Sequence, residues 1–186
     1  MSNSKNKGNR GELKVCKALT DRFGVKFNRV PNSGAFGTTH MLQQEAQSVL
    51  SGDLIVPILF KFSIEVKTGY DLDFLYLLSK ESSNDKNTFQ GFCEQACEDS
   101  SRTPGRIPMV IYTKDRRDTV IAIPTNNHSR QKQIEEIMSK NGNKRFMVVS
   151  FNLEKFEKWD TWVIFSLSDI LLEKDNFFFD GETMKV

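Results

Sequence analysis

Acidic residues lie inside two apolar, strand-like stretches in the first half of the sequence. Asp53 opens the stretch Asp-Leu-Ile-Val, and Glu65 lies twelve residues later within Phe-Ser-Ile-Glu-Val. Both stretches are rich in β-branched and aromatic residues, which favour strands. A charged group is costly to bury in such a strand unless a partner compensates it. The pattern therefore indicates a functional site built on a β-sheet.

The second of these stretches predicts a strand on which Glu65 and Lys67 share one face. Residues two apart project to the same side of a strand, so Val66 points into the core while its carbonyl stays available to a ligand. If the strand holding Asp53 runs antiparallel to this one, a hairpin of this length brings Asp53 alongside Glu65. Two carboxylates and a carbonyl are hard oxygen ligands, which Mg²⁺ binds together with water and phosphate oxygens.

Lys67 has a clear chemical role beside such a metal. It can orient or deprotonate an attacking water, or balance charge on a phosphorane-like transition state. A divalent metal polarises the phosphate and lowers the pKa of bound water, so phosphodiester hydrolysis becomes feasible near neutral pH. The expected cofactor is Mg²⁺, with Mn²⁺ as a substitute. The alternative is that Glu65 and Lys67 form the solvated face of an edge strand.

Positive charge is concentrated at the start of the chain. Residues 1–30 contain eight lysines and arginines against only Glu12 and Asp21, although the whole chain has a net charge of +2. A basic end on a nearly neutral body suits contact with phosphate groups, and a solvated tail and helix face is the alternative. Residues 1–9 are rich in Ser, Asn and Lys and are expected to form a flexible basic arm.

Apolar spacing predicts alternating helices and strands after this arm. The first helix runs from Arg10 to Phe23 and ends at Gly24. Residues 35–51 fit either a helix or a loop, and Ser168 is expected to cap a last short helix. The remaining elements are strands at Val25–Val30, Asp53–Val56, Ser63–Thr68, Ile107–Tyr112, Thr119–Ile123, Phe146–Phe151 and Thr161–Leu167, and helices at Thr88–Ser101 and 129–140.

The length of 186 residues fits a single α/β domain, with a mixed central sheet flanked by helices. We divide it into the arm, a core over residues 10–124, and an extension over 125–186 that packs on the core with extra strands. Trp159, Trp162 and Phe165 of this extension either pack in the core or supply a dimer surface.

The thiols and the N-terminus indicate a cytoplasmic protein. Cys16, Cys93 and Cys97 are an odd number, so we expect reduced thiols. Cys93 and Cys97 lie on one helix face and are expected to be buried small hydrophobes rather than zinc ligands. The first residues do not resemble a signal peptide, and no apolar run approaches the length of a membrane span.

Five short motifs follow one another in the first 100 residues. They are Lys7-Gly8-x-x-Gly11-Glu12, Arg29-Val-Pro31-x-Ser33-Gly34, Gly52-Asp53-Leu-Ile, Glu65-Val-Lys67 and Glu94-Gln95-Ala96. Over residues 5–124 the chain resembles the PD-(D/E)XK nucleases and is most similar to archaeal-type Holliday junction resolvases. The resemblance implies a restriction-endonuclease-like fold and a metal-dependent endodeoxyribonuclease of DNA recombination and repair. It also implies a homodimer that cuts branched four-way junctions.

The resemblance also implies a role for individual residues. Asp53, Glu65 and the Val66 carbonyl would bind the metal, Lys67 would be catalytic, and Glu12 would be a further acidic group at the metal. Ser33 would lie near the scissile phosphate, with a turn or capping role as the alternative. The expected DNA contacts are Lys5, Lys7, Arg10, Lys14, Arg29 and Gln95.

The chain departs from the resolvases in three segments, residues 35–51, 70–88 and 125–186. Because substrate choice depends on such surfaces, two alternatives stay open. One is a restriction-like or repair endonuclease that acts on duplex DNA, and the other is a non-catalytic DNA-binding module. If the chain is encoded by a phage, its place of action would be the host cytoplasm.

Overall fold

A computed structural model describes most of the chain. It covers residues 3–31, 52–70, 88–103, 105–125, 128–140, 145–150 and 159–181, with Leu153, Lys155 and Phe156 between the last two ranges. Its elements in chain order are α1 (Asn3–Phe23), β1 (Asn28–Arg29), β2 (Leu54–Ile55), β3 (Phe62–Thr68), α2 (Phe89–Ser101), β4 (Ile107–Thr113), β5 (Val120–Pro124), α3 (His128–Lys140), β6 (Phe146–Ser150), β7 (Thr161–Ser166), α4 (Leu167–Ile170) and α5 (Asp175–Phe178).

The main sheet is mixed, as the sequence predicted. Its five strands lie in the order β3-β4-β5-β7-β6, with β3 parallel to β4 and the other pairs antiparallel. β1 and β2 form a separate antiparallel ribbon. Because β7 pairs with β5 along five residues, the C-terminal strands continue the same sheet instead of forming a second one.

Both faces of the sheet are covered by apolar side chains. Phe62, Ile64 and Val66 point to the face that packs against α1, and Val110 of β4 points to the face covered by α2. Glu65 pairs with Val110 in the parallel ladder, and paired residues share a face, so Glu65 also points towards α2. The structure thus confirms an α/β fold with helices flanking a mixed sheet.

Helix α1 is longer than the sequence predicted. It begins at Asn3 rather than Arg10, so the expected boundary between a flexible arm and the helix is wrong for residues 3–9. Lysine favours helix, and a single interior glycine such as Gly8 costs only about 1 kcal/mol, so a helix held by tertiary packing extends through it. Its buried face includes Val15 and Leu19, and Gly24 ends it with a φ of 69°.

Helix α2 matches the predicted helix closely. Thr88 is its N-cap and accepts a hydrogen bond from the Gly91 amide at 3.1 Å. Cys93 and Cys97 are buried and reduced, as predicted, and burial raises the pKa of Cys93 well above its ordinary value. The buried stripe of the helix is Phe89, Phe92, Cys93, Ala96, Cys97 and Ser100.

The C-terminal residues decide whether Trp162 and Phe165 lie in the core or on a surface, and they correct the predicted helix cap. Trp162 and Phe165 are almost completely buried, so they belong to the core rather than to an exposed dimer surface. The short helix α4 begins at Leu167 with Ser166 as its N-cap, so the predicted cap at Ser168 is wrong. The reason is that strand β7 ends at Ser166, one residue earlier than the apolar pattern suggests, and the helix begins directly after it.

Two glycines on α1 offer a matched test of how the helix packs on β3. A methyl group on Gly11 would overlap Thr68 Oγ1, and it would lie 3.1 Å from Thr113 Oγ1. Outside the backbone of α1 itself, no atom of the described residues lies within 4 Å of a methyl group on Gly8. We expect Gly11→Ala to lower the free energy of unfolding by about 1–3 kcal/mol, and Gly8→Ala to raise it by about 0.5–1 kcal/mol. Urea unfolding of both variants checks this, and equal effects would contradict the close contact.

Candidate active site

Strand β3 holds the two central residues of the candidate site. Glu65 is only 2% exposed, and its Oε1 lies 2.6 Å from Lys67 Nζ, which confirms that the two side chains share a face. In the ladder with β4, Lys67 lies opposite Tyr112. The alternative of a solvated strand face is wrong for Glu65, because the carboxylate is buried.

Asp53 is attached to β3 by both its backbone and its side chain. Its amide donates to the Ile64 carbonyl at 2.8 Å, and its Oδ2 accepts from the Val66 amide at 2.8 Å. Because these two contacts flank Glu65, the structure brings the two carboxylates together as predicted. The N–H and C=O of one strand residue point to the same side, so the Val66 carbonyl also points to the edge where Asp53 lies.

The route by which Asp53 reaches β3 differs from the predicted one. β2 pairs antiparallel with β1, and Gly52 forms a parallel bridge with Ile64, so the predicted antiparallel hairpin with β3 is wrong. The segment between β2 and β3 contains a turn at Ile58 and Leu59. The buried Arg106 donates hydrogen bonds to the Phe60 carbonyl in this segment and, at 3.4 Å, to the Phe62 carbonyl at the start of β3.

The electrostatics of the pair suit a bound cation. Burial raises the pKa of Glu65 well above its ordinary value, and the nearby Asp53 raises it further, while Lys67 partly offsets both effects. Two close carboxylates in a buried place repel each other, and a divalent cation relieves that repulsion. The donor chemistry fits Mg²⁺, because both side chains offer carboxylate oxygens.

Helix α2 supplies a second layer of contacts to the site. Gln95 Oε1 accepts a hydrogen bond from Lys67 Nζ at 2.7 Å, and the Phe92 ring centroid lies 5.2 Å from the same nitrogen. Gln95 was expected as a DNA contact, and its observed partner is the predicted catalytic lysine.

Asp99, one turn further along α2, was missed by the sequence analysis. Its carboxylate lies close enough to Glu65 to influence the ionisation of that residue, and it forms an ion pair with Arg102 at 2.9 Å. Burial raises the pKa of Asp99, and Arg102 partly offsets this effect. Its position four residues after Gln95 was the available signal, because such residues lie on one helix face.

Glu12 is buried beside the ribbon of β1 and β2. Its Oε2 accepts a hydrogen bond from Nε of Arg29, which pairs with Leu54 in the ribbon next to Asp53. Among the described ranges, no three His, Cys, Asp or Glu side chains converge closely enough to hold a metal ion. Metal ligation by Glu12 therefore stays a prediction, and Arg29 is engaged by this carboxylate.

The basic residues of α1 lie near the end of β3 that follows Lys67. A methyl group on Gly69 would overlap the side chain of Lys7, so that lysine lies over the end of the strand. Lys14 Nζ donates to Thr119 Oγ1 at 3.3 Å, and Arg10 is exposed. Lys5 lies in α1, but its side chain falls outside the described residues, as does the whole of Ser33.

None of the helices described is long and apolar enough to cross a membrane.

Comparisons with known proteins agree with the chemistry of this site. A family described as "Phage putative PDDEXK endonuclease" matches residues 3–166. Protein D14 of Escherichia phage T5 is 31% identical over 166 residues, which cover 84% of this chain and 91% of that protein. No solved structure matches the chain significantly. The similarity to PD-(D/E)XK nucleases is confirmed, and the chain belongs to this family of phage PDDEXK endonucleases.

Proposed function

We propose that the protein hydrolyses DNA phosphodiester bonds with a Mg²⁺ ion held by Asp53, Glu65 and the Val66 carbonyl, with Mn²⁺ as a substitute. The observation that carries this proposal is the attachment of the Asp53 carboxylate to the Val66 amide, directly beside the buried pair of Glu65 and Lys67. When bound, the metal would polarise the scissile phosphate and lower the pKa of an attacking water.

Lys67 supports this reaction through its positive charge. Its ammonium group is held between Glu65 Oε1 and Gln95 Oε1, at 2.6 Å and 2.7 Å. An ammonium paired with a carboxylate can donate protons but cannot accept one, so the geometry favours charge stabilisation over general-base catalysis. A fixed cation lowers the energy of the transition state, in which negative charge grows on the phosphate oxygens.

For the substrate we propose branched DNA, namely four-way junctions cut by a homodimer. The support is the resemblance of the five ordered motifs to archaeal-type Holliday junction resolvases. A four-way junction is two-fold symmetric, so a two-fold dimer can place one active site on each of two opposing strands. The protein would act in recombination and repair of DNA in the host cytoplasm, and residues 1–186 would form one domain.

The test is cleavage of labelled synthetic four-way junctions against linear duplexes of the same sequence, with and without Mg²⁺. We expect junctions to be cut at least about tenfold faster than duplexes, a difference of about 1.4 kcal/mol in the activation free energy. Equal rates on both substrates would show a restriction-like or repair endonuclease instead. Absence of cleavage with both Mg²⁺ and Mn²⁺, while the protein binds DNA, would leave a non-catalytic DNA-binding module.

A further inference from the structure

We propose that the β4–β5 turn, residues 114–118, is a second binding surface for the DNA backbone beside the active site. This inference rests on the proposed nuclease function. The turn has the sequence Lys-Asp-Arg-Arg-Asp and carries three basic residues. The predicted DNA contacts on α1 and β1 did not include it.

The turn begins at the end of the sheet that carries the candidate site. Tyr112 is the ladder partner of Lys67, and the turn starts two residues after Tyr112. The Gly69 amide donates a hydrogen bond to the Thr113 carbonyl at 2.8 Å, which ties the start of the turn to the end of β3. Four residues span at most about 14 Å, so Arg116 is within reach of phosphates next to the one at Lys67.

Helix α1 joins the turn to the basic residues already predicted to contact DNA. Gly11 packs against Thr68 and Thr113, so the start of α1 lies over the ends of both parallel strands. Lys14 Nζ donates to Thr119 Oγ1 just beyond the turn. The basic residues that share this end of the sheet, which we call the basic rim, are Lys7, Arg10, Lys14, Lys114, Arg116 and Arg117.

Arg116 and Arg117 are the members of the rim best suited to a ligand. Both are exposed, and neither forms an ion pair with any residue in the described part of the chain. Arg116 has a φ of 62°, a conformation that costs an L residue about 1–2 kcal/mol and that glycine adopts freely. The Arg117 amide closes the turn by donating to the Lys114 carbonyl at 3.2 Å. Guanidinium groups bind phosphate through paired hydrogen bonds.

The test compares DNA binding by the unchanged chain and by Arg116→Gln/Arg117→Gln. The probe is a fluorescein-labelled DNA duplex, and its anisotropy is followed in EDTA, so that no cleavage occurs. The logarithm of the association constant falls linearly with the logarithm of the salt concentration. Each lost phosphate contact reduces the magnitude of that slope by about 0.9 and weakens binding by roughly tenfold near 0.1 M salt. Because two contacts are removed, we expect the magnitude of the slope to fall by about 2 and the affinity to fall by about a hundredfold.

The matched control is Lys26→Gln/Lys174→Gln, which removes the same charge from two exposed lysines. Lys26 follows the end of α1, and Lys174 precedes Asp175, which pairs with Arg22 at the end of α1 far from Gly11. An equal loss of affinity in both double variants would overturn the proposal, because it would show a general charge effect. Unchanged binding by the arginine variant would overturn it as well. Failure of the proposed nuclease function would appear separately, as absence of cleavage with both Mg²⁺ and Mn²⁺ in the assay on junctions and duplexes.

Discussion

Replacing Lys67 with alanine is expected to slow DNA cleavage by about a thousandfold while binding of Mg²⁺ survives. Loss of one fixed charge or proton donor that acts in the transition state costs roughly 10²–10⁴-fold in rate. Lys67 is not a proposed metal ligand, so a rise in melting temperature on addition of Mg²⁺ should persist. Single-turnover cleavage and thermal melting measure the two effects, with Lys132→Ala, an exposed lysine on α3, as the control.

The companion variant Glu65→Gln should lose both cleavage and the stabilisation by Mg²⁺. Without metal, we expect it to melt at the same temperature as the unchanged chain or higher. The reason is that Glu65 is 2% exposed and lies beside Asp53, so its charge opposes folding until a cation binds. Full stabilisation of Glu65→Gln by Mg²⁺ would contradict its place as a ligand. Cleavage by Lys67→Ala at the original rate would contradict the catalytic role of the lysine.

Replacing Gly52 with alanine is expected to lower the free energy of unfolding by about 2–4 kcal/mol and to abolish cleavage. Gly52 has a φ of 79°, and a methyl group there would overlap the carbonyl of Ile64. Relief of that overlap moves the chain away from β3, which breaks the hydrogen bonds of Asp53 with Ile64 and Val66. Urea unfolding and the cleavage assay together check this result.

Gly105→Ala separates backbone strain from the overlap with Ile64. Gly105 has a φ of 85°, similar to that of Gly52, but among the described residues no atom lies within 4 Å of an added methyl group. We expect this variant to lose only about 1–2 kcal/mol, the cost of a left-handed conformation in an L residue, and to keep its cleavage activity. Equal destabilisation by the two substitutions would show that contact with β3 adds nothing at Gly52.

The parts of the site that lie within one element were predictable from the sequence. The alternation of side chains along β3 placed Glu65 and Lys67 together, and helical spacing placed Phe92 and Cys93 on the buried face of α2. Both patterns depend on the period of a single element, which the sequence displays directly. The family resemblance added Gln95, whose contact with Lys67 no periodicity could have shown.

The position of Asp53 beside β3 was predicted only in part. Its closeness to Glu65 is confirmed, but the direction of its strand was wrong. That direction depends on the bridge between Gly52 and Ile64 and on Arg106, whose guanidinium binds carbonyls more than forty residues earlier in the chain. Strand direction set by such distant contacts has no local signature in the sequence.

Asp99, a further acidic residue beside Glu65, was not predicted from the sequence. An acidic residue on a helix is most often solvated, and only the docking of α2 on β3 brings Asp99 to Glu65. The start of α1 was missed for a related reason. The polar residues 3–9 carry no apolar period, and their helical conformation follows from the packed part of the helix after them.

The hydrogen bond between the Val66 amide and Asp53 Oδ2 makes hydrogen exchange at that amide a measure of local opening at the site. Within the ladder, the amides of β3 that face β4 exchange with solvent only when the sheet itself opens, whereas the Val66 amide is held by the side chain of Asp53, the residue before β2. Native-state hydrogen exchange at Val66 therefore follows detachment of the segment that carries Asp53, without unfolding of the sheet. The free energy of that local opening sets how often the two carboxylates are held together, and thus how fully the site is preorganised for a cation.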